Sequence, residues 1–269
     1  MHRAGWFLLF VSAIGGWNSV ANAQGVVLRL PEDGTWVRYE GTFGQTEIRP
    51  NTATGKLEIP PWLEHVTIKS VGTEDGEFQG ETVKCRWIEI KIERGREADG
   101  KIDTGTTGLE IYKVLVPEPA VTADPKSADG VPASFSPVVK GFRQIGKGEP
   151  RKLEVGAMKL YPLAVVLGYC RDFTVTEQGV DPEIGIADVK ADVLAGTTVI
   201  ERPSSKTELE SKVWTSPQVP FGVAAWTAKI TRSIKDDQEA RDDFKPLTEI
   251  TVAMKARESG TNAQSEVNP

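Results

Sequence analysis

The feature that most constrains the fold of this chain is a period of two in its hydrophobic residues. Between Thr35 and Phe43, Val37 and Tyr39 share one face with Phe43, and polar side chains fill the other. Side chains alternate across a strand, so this period predicts β-structure. Because helix periodicity is sparse, the sequence predicts an all-β fold. We expect a strongly curved antiparallel sheet or incomplete barrel with one or two short helices.

A long strand predicted over Glu81 to Glu93 changes its apolar face. Its apolar residues fall in two sets on opposite faces: Val83, Cys85 and Trp87, then Ile88, Ile90 and Ile92. Such a change indicates two packing environments or a bulge. Leu109 to Val116 is a second apolar strand, and Arg94 to Gly108 between them reads as a hairpin loop. Glu183 to Glu201 is predicted to form two strands around Ala195-Gly196-Thr197.

The N-terminus has the pattern of an export signal. A basic start at Arg3 precedes the apolar run Trp6 to Gly16, and Ala21-Asn22-Ala23 supplies the small residues of a cleavage site. We therefore expect residues 1–23 to be a signal peptide cleaved after Ala23. The mature protein would be secreted or periplasmic.

The remaining 246 of 269 residues are long enough to bury one large core. We expect a single β-rich domain over residues 24–257, with a proline-rich surface excursion at residues 117–137. The polar residues 258–269 are predicted to form a disordered tail. After the leader, no apolar stretch approaches the ~20 residues that a transmembrane helix needs.

Net charge argues against a nucleic-acid partner. The predicted leader contains one of the 32 basic residues, Arg3, and none of the 38 acidic ones, which leaves 31 against 38 and a net charge of −7. An acidic chain without a Lys/Arg cluster repels phosphate backbones. The predicted partners are instead an apolar small molecule, a lipid or an envelope protein.

Cys85 and Cys170 form an even pair in a chain predicted to be exported. A disulfide between them is one interpretation. The other is a pair of buried thiols that act as small hydrophobic residues.

Catalytic signals are few. After the leader the chain has one histidine, His65, which falls on the polar face of a predicted strand, and no His or Cys pair has metal-ligand spacing. We predict no metal and no cofactor. The tetrapeptide from Asp103 to Thr106 (DTGT) matches the loop in which aspartic proteases hold a carboxylate. A dimeric aspartic protease that uses Asp103 is therefore an alternative, although a second such loop is missing.

Tryptophans supply the candidate ligand site. Trp87 shares a strand face with Val83, and Trp226 shares one with Ile230. On a curved sheet these four residues could line a concave apolar face, where burial contributes ~0.8 kcal/mol per CH₂ of an acyl chain. The alternative is that they pack in the core.

Three segments, Arg86–Glu93, Ile111–Glu118 and Lys212–Val223, together resemble exported bacterial proteins that are similar to the periplasmic lipoprotein-carrier fold. The last of them contains Ser216-Pro-Gln-Val-Pro-Phe-Gly-Val223 between two strands. The resemblance implies an incomplete antiparallel barrel around an apolar cavity that takes acyl chains. It implies no catalytic residues.

We therefore expect an exported, non-enzymatic binding protein for an apolar or lipid-like ligand. A structural or protein-interaction module of the cell envelope is the first alternative. The dimeric aspartic protease is the second.

Overall fold

The computed structural model describes residues 26–49, 55–99, 101–121, 137–153, 156–157 and 173–268. These residues form fourteen strands: β1 (Trp36–Ile48), β2 (Lys56–Phe78), β3 (Glu81–Ala98), β4 (Lys101–Asp103), β5 (Leu109–Pro117), β6 (Pro137–Val138), β7 (Lys140–Ile145), β8 (Arg151–Lys152), β9 (Gly156–Ala157), β10 (Thr174–Val180), β11 (Ala191–Arg202), β12 (Ser205–Thr215), β13 (Val223–Ile234) and β14 (Lys245–Gly260).

Twelve of the strands form one antiparallel sheet, which confirms the predicted all-β class. The order is β10-β11-β12-β13-β14-β1-β2-β3-β5-β7-β8, and β4 pairs with the end of β3. Strands β6 and β9 form a separate two-stranded sheet. Among the described strands, β10 and β8 are the edges of the large sheet and do not pair with each other.

Helical structure in the described residues is limited to two single 3₁₀ turns, Glu118–Ala120 and Pro220–Gly222. The segment Asp236 to Phe244, which is polar and helix-like in sequence, forms turns instead. In the part of the chain that the structure describes, no helix is long and apolar enough to cross a membrane.

Two strand predictions were wrong in detail. Strand β11 runs without a break through Ala195-Gly196-Thr197, because Gly196 pairs with Ser211 in unbroken register. The segment Arg94 to Gly108 is not one loop, since β3 continues to Ala98 and returns as β4. In both places cross-strand hydrogen bonds override the local Gly and Thr composition.

The large sheet carries its main core on one face, called here the inner face, and buries a few further apolar residues on the other, Leu115 among them. Cross-strand pairing places side chains from most of its strands in one core, including Tyr39, Ile68, Ile90, Val114 and Trp226. The long alternating strands thus bury one set of side chains and leave the other set on the outer face.

Two loops cover the middle of the inner face. Val26 and Val27 join the core at the start of the described chain, and Val219 and Phe221 join it from the turn before β13. The backbone N–H of Leu28 donates to the Phe221 carbonyl at 2.8 Å, which links the two loops. The Ser216–Val223 segment therefore acts as a cover of the core.

The outer face is charged, and the C-terminal residues lie across it. Glu89 on β3 is fully buried there and accepts hydrogen bonds from the backbone N–H groups of Glu266, at 3.0 Å, and Val267, at 3.3 Å. The ammonium of Lys113 donates to the Val267 carbonyl at 2.9 Å. The structure thus differs from the predicted disordered tail over residues 258–269, because β14 extends to Gly260 and a buried carboxylate holds the residues beyond it.

Three predictions lie outside the described residues. The signal peptide over residues 1–23 is one, and most of the proline-rich excursion at residues 117–137 is another. The third is the disulfide, because Cys170 is not described. Its predicted partner Cys85 is a buried thiol whose pKa is raised, mainly by burial.

Candidate functional site

The four residues predicted to bind a ligand do not come together. Trp226 is fully buried, its ring centroid 4.9 Å from that of Tyr39, and Ile230 lies in the same core. Tyr39 donates its hydroxyl proton to the Val223 carbonyl at 2.8 Å. Trp226 and Ile230 therefore occupy the interior of the inner face, where side chains of this protein already fill the space.

Trp87 and Val83 lie on the opposite side of the sheet. They alternate with the buried isoleucines of β3, so they point to the outer face. The indole N–H of Trp87 donates to Glu74 at 3.0 Å, and the ammonium groups of Lys113 and Lys140 lie 5.4 Å and 5.2 Å from its ring. Its ring also stacks on Phe142, with centroids 6.3 Å apart, and its cross-strand partner is the buried Leu115. Trp87 therefore belongs to a small outer-face cluster of aromatic, apolar and charged side chains, away from Trp226.

Asp103 is exposed at the end of β4. Its Oδ1 accepts the backbone N–H of Gly105 at 2.9 Å, which closes a tight turn of the kind that aspartate forms in loops. His65 is half-buried on the outer face, 3.7 Å from Glu40, and burial lowers its pKa. Among the described residues no group of three His, Cys, Asp or Glu side chains is placed to hold a metal.

Exposed apolar side chains collect at one end of the sheet. This end, called here the tip end, is where the β1–β2, β3–β4, β11–β12 and β13–β14 hairpins turn. Five large apolar residues of the inner face are more than a third exposed there: Leu57, Trp62, Ile145, Ile200 and Ile234.

Strand pairing shows that these residues belong to one surface. Successive cross-strand partners lead from Ile200 on β11 to Leu57 on β2, through Thr207, Arg232, Thr248 and Glu47. Trp62 pairs with Phe43, which pairs with the buried Val252. The inner face therefore continues beyond the core to the tip end, where exposed apolar residues are separated by polar and charged ones.

A cavity of about 800 Å³ opens in this region of the sheet. Trp62 and Ile92 line its apolar part. The polar part consists of three guanidinium groups, two carboxylates and the loop before β5: Arg94, Arg96, Arg143, Asp103, Glu110 and residues 104–108. We take this cavity as the candidate site, because it combines apolar surface with converging polar groups.

Each arginine of the cavity lies over an aromatic ring. The guanidinium carbon of Arg96 is 4.3 Å from the ring centroid of Trp62. The other two pairs are Arg94 over Phe43, at 4.7 Å, and Arg143 over Tyr112, at 5.5 Å. Such stacking is favourable and holds the planar cations in place.

Two of the arginines face carboxylates. Arg94 donates to the fully buried Glu64 at 2.8 Å, and Arg143 donates to Glu110 at 3.0 Å. Burial raises the pKa of Glu64, although Arg94 lowers it. The second carboxylate oxygen of Glu64 is buried without a hydrogen-bond partner among the described residues.

Arg96 differs from the other two. It donates to the neutral Pro61 carbonyl at 3.0 Å and stacks on Trp62, and it makes no ion pair with any residue that the structure describes. Its positive charge is therefore the least compensated of the three in the cavity wall.

A second cavity of about 600 Å³ lies against β10–β14. Its wall includes the exposed side chains of Thr197, Glu210, Lys229 and Thr251 and contains no aromatic residue. Lys229 is already paired with Glu249 at 2.9 Å. This polar groove offers little apolar surface to a ligand.

Sequence reasoning missed Trp62, Arg94, Arg96 and Arg143. A signal was present on β3, where Arg94 and Arg96 extend the stripe of inner-face isoleucines with the same period of two. Cations at the end of an apolar stripe indicate that the strand leaves the buried core there and reaches a polar surface. The contributions of Trp62 and Arg143 depend on strand pairing, which the sequence pattern does not specify.

In comparisons with known proteins, no protein-family model matches the chain and no curated protein matches it.

Proposed function

We propose that this chain is an exported, non-enzymatic binding protein for an apolar or lipid-like ligand, held at the tip end of the inner face. The observation that carries the proposal is the exposed Trp62, which lines the cavity together with the core residue Ile92. Other apolar side chains of the same face, among them Leu57 and Ile200, are exposed at the same end of the sheet. An exposed large aromatic side chain in a concave site is where a ligand gains most from apolar contact.

The apolar contacts would supply most of the affinity. Covering exposed apolar surface contributes about 25 cal/mol for each Å² removed from water. Leu57 and Ile200 are each 40% exposed and are separated by a row of polar and charged residues, so an apolar ligand that covered them would contact each one separately. The strand framework positions both side chains before any ligand arrives, which reduces the entropy that binding costs.

The chain offers a matched pair of variants to test this. Ile200 points to the inner face and its neighbour Val199, 56% exposed, points to the outer face. The double variant Leu57→Ser/Ile200→Ser should lose lipid that co-purifies with the protein, as measured by organic extraction and mass spectrometry. The control Val199→Ser should retain it. A wild-type protein without lipid that also binds no fluorescent fatty-acid probe would overturn the proposal.

Export is part of the proposal and has its own measurement. Mass spectrometry of the mature protein should find an N-terminus at Gln24, since the residues before it have the pattern of a cleavable leader. An intact Met1 on protein recovered from the cell envelope would contradict it.

A protein-interaction module of the envelope is the second candidate. The exposed apolar residues favour it as well, because protein interfaces use such patches. The two candidates separate in one experiment: an interaction module would be empty of lipid, and Leu57→Ser/Ile200→Ser would abolish its association with an envelope protein.

The aspartic protease alternative depends on Asp103. The turn hydrogen bond to Gly105 accounts for this carboxylate without a catalytic role. We expect Asp103→Asn to change the free energy of unfolding by less than about 0.5 kcal/mol, as for ordinary surface substitutions. Acid-pH peptide cleavage that disappears in this variant would establish the protease instead.

A further inference from the structure

We infer that the ligand of the tip-end cavity carries an anionic head group, a carboxylate or a phosphate, which Arg96 binds while Trp62 contacts the apolar part. The inference rests on the proposed function, because it concerns the same site. It specifies the chemical class of the ligand, an anionic amphiphile, and it assigns binding of the head group to the polar residues of the cavity.

Charge is the first step of the argument. Three guanidinium groups face the cavity against the carboxylates of Asp103 and Glu110. Arg94 and Arg143 have carboxylate partners at 2.8 Å and 3.0 Å, whereas Arg96 makes no ion pair within the described part of the chain. Asp103 lies directly across the β3–β4 pairing from Arg96, but no salt bridge joins the two side chains. Arg96 is therefore the guanidinium of the cavity whose N–H groups no described carboxylate occupies.

Geometry is the second step. The guanidinium carbon of Arg96 lies over the ring of Trp62, 4.3 Å from its centroid, and one of the guanidinium nitrogens donates to the Pro61 carbonyl. A stacked guanidinium presents its N–H groups at its edge, in the plane that matches the oxygens of a carboxylate or phosphate. The stack places this anion-binding edge directly beside an exposed indole.

The surrounding donors and apolar surface are the third step. Thr104, Thr106 and Thr107 bring three hydroxyl groups to the cavity wall, and each can donate to an anionic oxygen. Ile92 lies at the inner side of the cavity, where it belongs to the core. The cavity wall thus offers donors that suit an anion next to apolar side chains that suit a hydrocarbon, which is the combination that an ionised amphiphile requires.

Three ligands of equal chain length test the inference by calorimetric titration: dodecanoate and dodecyl phosphate below their micelle concentrations, and dodecanol below its solubility limit. We expect the two anions to bind at least about tenfold more tightly than dodecanol, since charge-assisted hydrogen bonds are the stronger class. Added salt should weaken binding of the anions and leave dodecanol unchanged. A preference between the two anions identifies carboxylate or phosphate as the head group.

Arg96→Gln should reduce the affinity for both anions to that for dodecanol, and Arg96→Lys, which keeps the charge without the planar edge, should give an intermediate loss. Arg202→Gln, at the β11–β12 turn and outside the cavity wall, is the matched control and should bind like the wild type. Equal urea midpoints would show that the variants fold alike.

The outcomes separate this inference from the function on which it rests. If all three ligands bind with equal affinity and Arg96→Gln changes none of these affinities, the inference of an anionic head group is wrong, while the proposal of an apolar binding site is supported. If none of the three binds to the wild-type protein, both proposals fall.

Discussion

Two tryptophans on the same face of the sheet have opposite surroundings. Trp226, in the middle of the inner face, is fully buried beside Tyr39, whereas Trp62, at the tip end, is 36% exposed beneath Arg96. Strand pairing places both on the inner face, through Met254 for Trp226 and through Phe43 for Trp62. The difference lies in the cover, because Val27 and Phe221 join the core around the middle of the face. Strand pairing therefore determines which face of the sheet a residue occupies. Whether that residue is buried in the core or exposed to a ligand depends on the loops that cover the face.

The largest effect is expected in the covered middle. Trp226→Ala should lower the free energy of unfolding by about 4 kcal/mol, since a large aromatic side chain leaves a cavity that a packed core cannot fill. Urea unfolding followed by circular dichroism measures it.

A conservative variant sharpens this prediction. The indole N–H of Trp226 is buried without a hydrogen-bond partner in the described part of the chain, so Trp226→Phe removes an unsatisfied donor together with volume. We expect it to cost less than half as much as Trp226→Ala. Equal costs for both would show that Trp226 does more than fill space.

The outer face provides the next largest effect. Glu89→Gln should lower the free energy of unfolding by about 2 kcal/mol, because the carboxylate accepts charge-assisted hydrogen bonds from Lys69 and from two backbone N–H groups of the C-terminal segment. Hydrogen exchange at Glu266 and Val267 should accelerate at the same time.

Glu266→Gln is the matched control on that face. Its side chain is 40% exposed and pairs with Lys91 at 3.1 Å and with Lys69, the lysine that also donates to Glu89. Because Glu266 is partly in water, we expect these pairs to contribute less than the buried contacts of Glu89, about 1 kcal/mol. If the two variants behave alike, the C-terminal segment is held by its exposed charges and not by the buried carboxylate.

The strands themselves were largely predictable. The alternation at Val37, Tyr39 and Phe43 correctly indicated β1, and the long apolar stretch after Glu81 correctly indicated β3. Gly196 was misread as a break because its pairing with Ser211 is a property of the neighbouring strand. Local patterns identify strands well, but partners determine where they continue.

The candidate site was not predictable in the same way. Trp62, Arg96 and Arg143 are far apart in sequence and meet only through the pairing of β2, β3, β5 and β7. Trp87 and Trp226 were grouped because both stand in apolar strand patterns, yet the register places them on opposite faces. Which face of a strand is covered depends on register and loops, and neither is visible in a period of two.

Trp62→Ala tests the exposed end against Trp226→Ala. We expect a loss of about 1 kcal/mol or less in the free energy of unfolding, because the side chain is already partly in water. Affinity for dodecanoate should fall at least tenfold, since Arg96 loses the ring on which it stacks. A large loss of stability without loss of dodecanoate binding would show that Trp62, like Trp226, serves the core and not the ligand site.

The smallest expected effect is a pH trend at Glu64, where the core meets the cavity. Burial raises the pKa of this carboxyl above its ordinary value of 4.5, which means that the folded protein holds the proton more tightly than the unfolded chain. The stabilising contribution of Glu64 is therefore complete below pH 4.5 and is lost as the pH rises through the raised pKa.

Glu64→Gln keeps a neutral side chain at every pH. Its urea midpoint should therefore rise relative to that of the wild type as the pH increases from about 4 to about 7. In an Arg94→Gln background the trend should steepen, because the cation that favours the ionised form is gone. A trend of the opposite sign would mean that the ion pair with Arg94 lowers the pKa of Glu64 more than burial raises it. The ionised Glu64 would then stabilise the folded protein at the boundary between the core and the cavity.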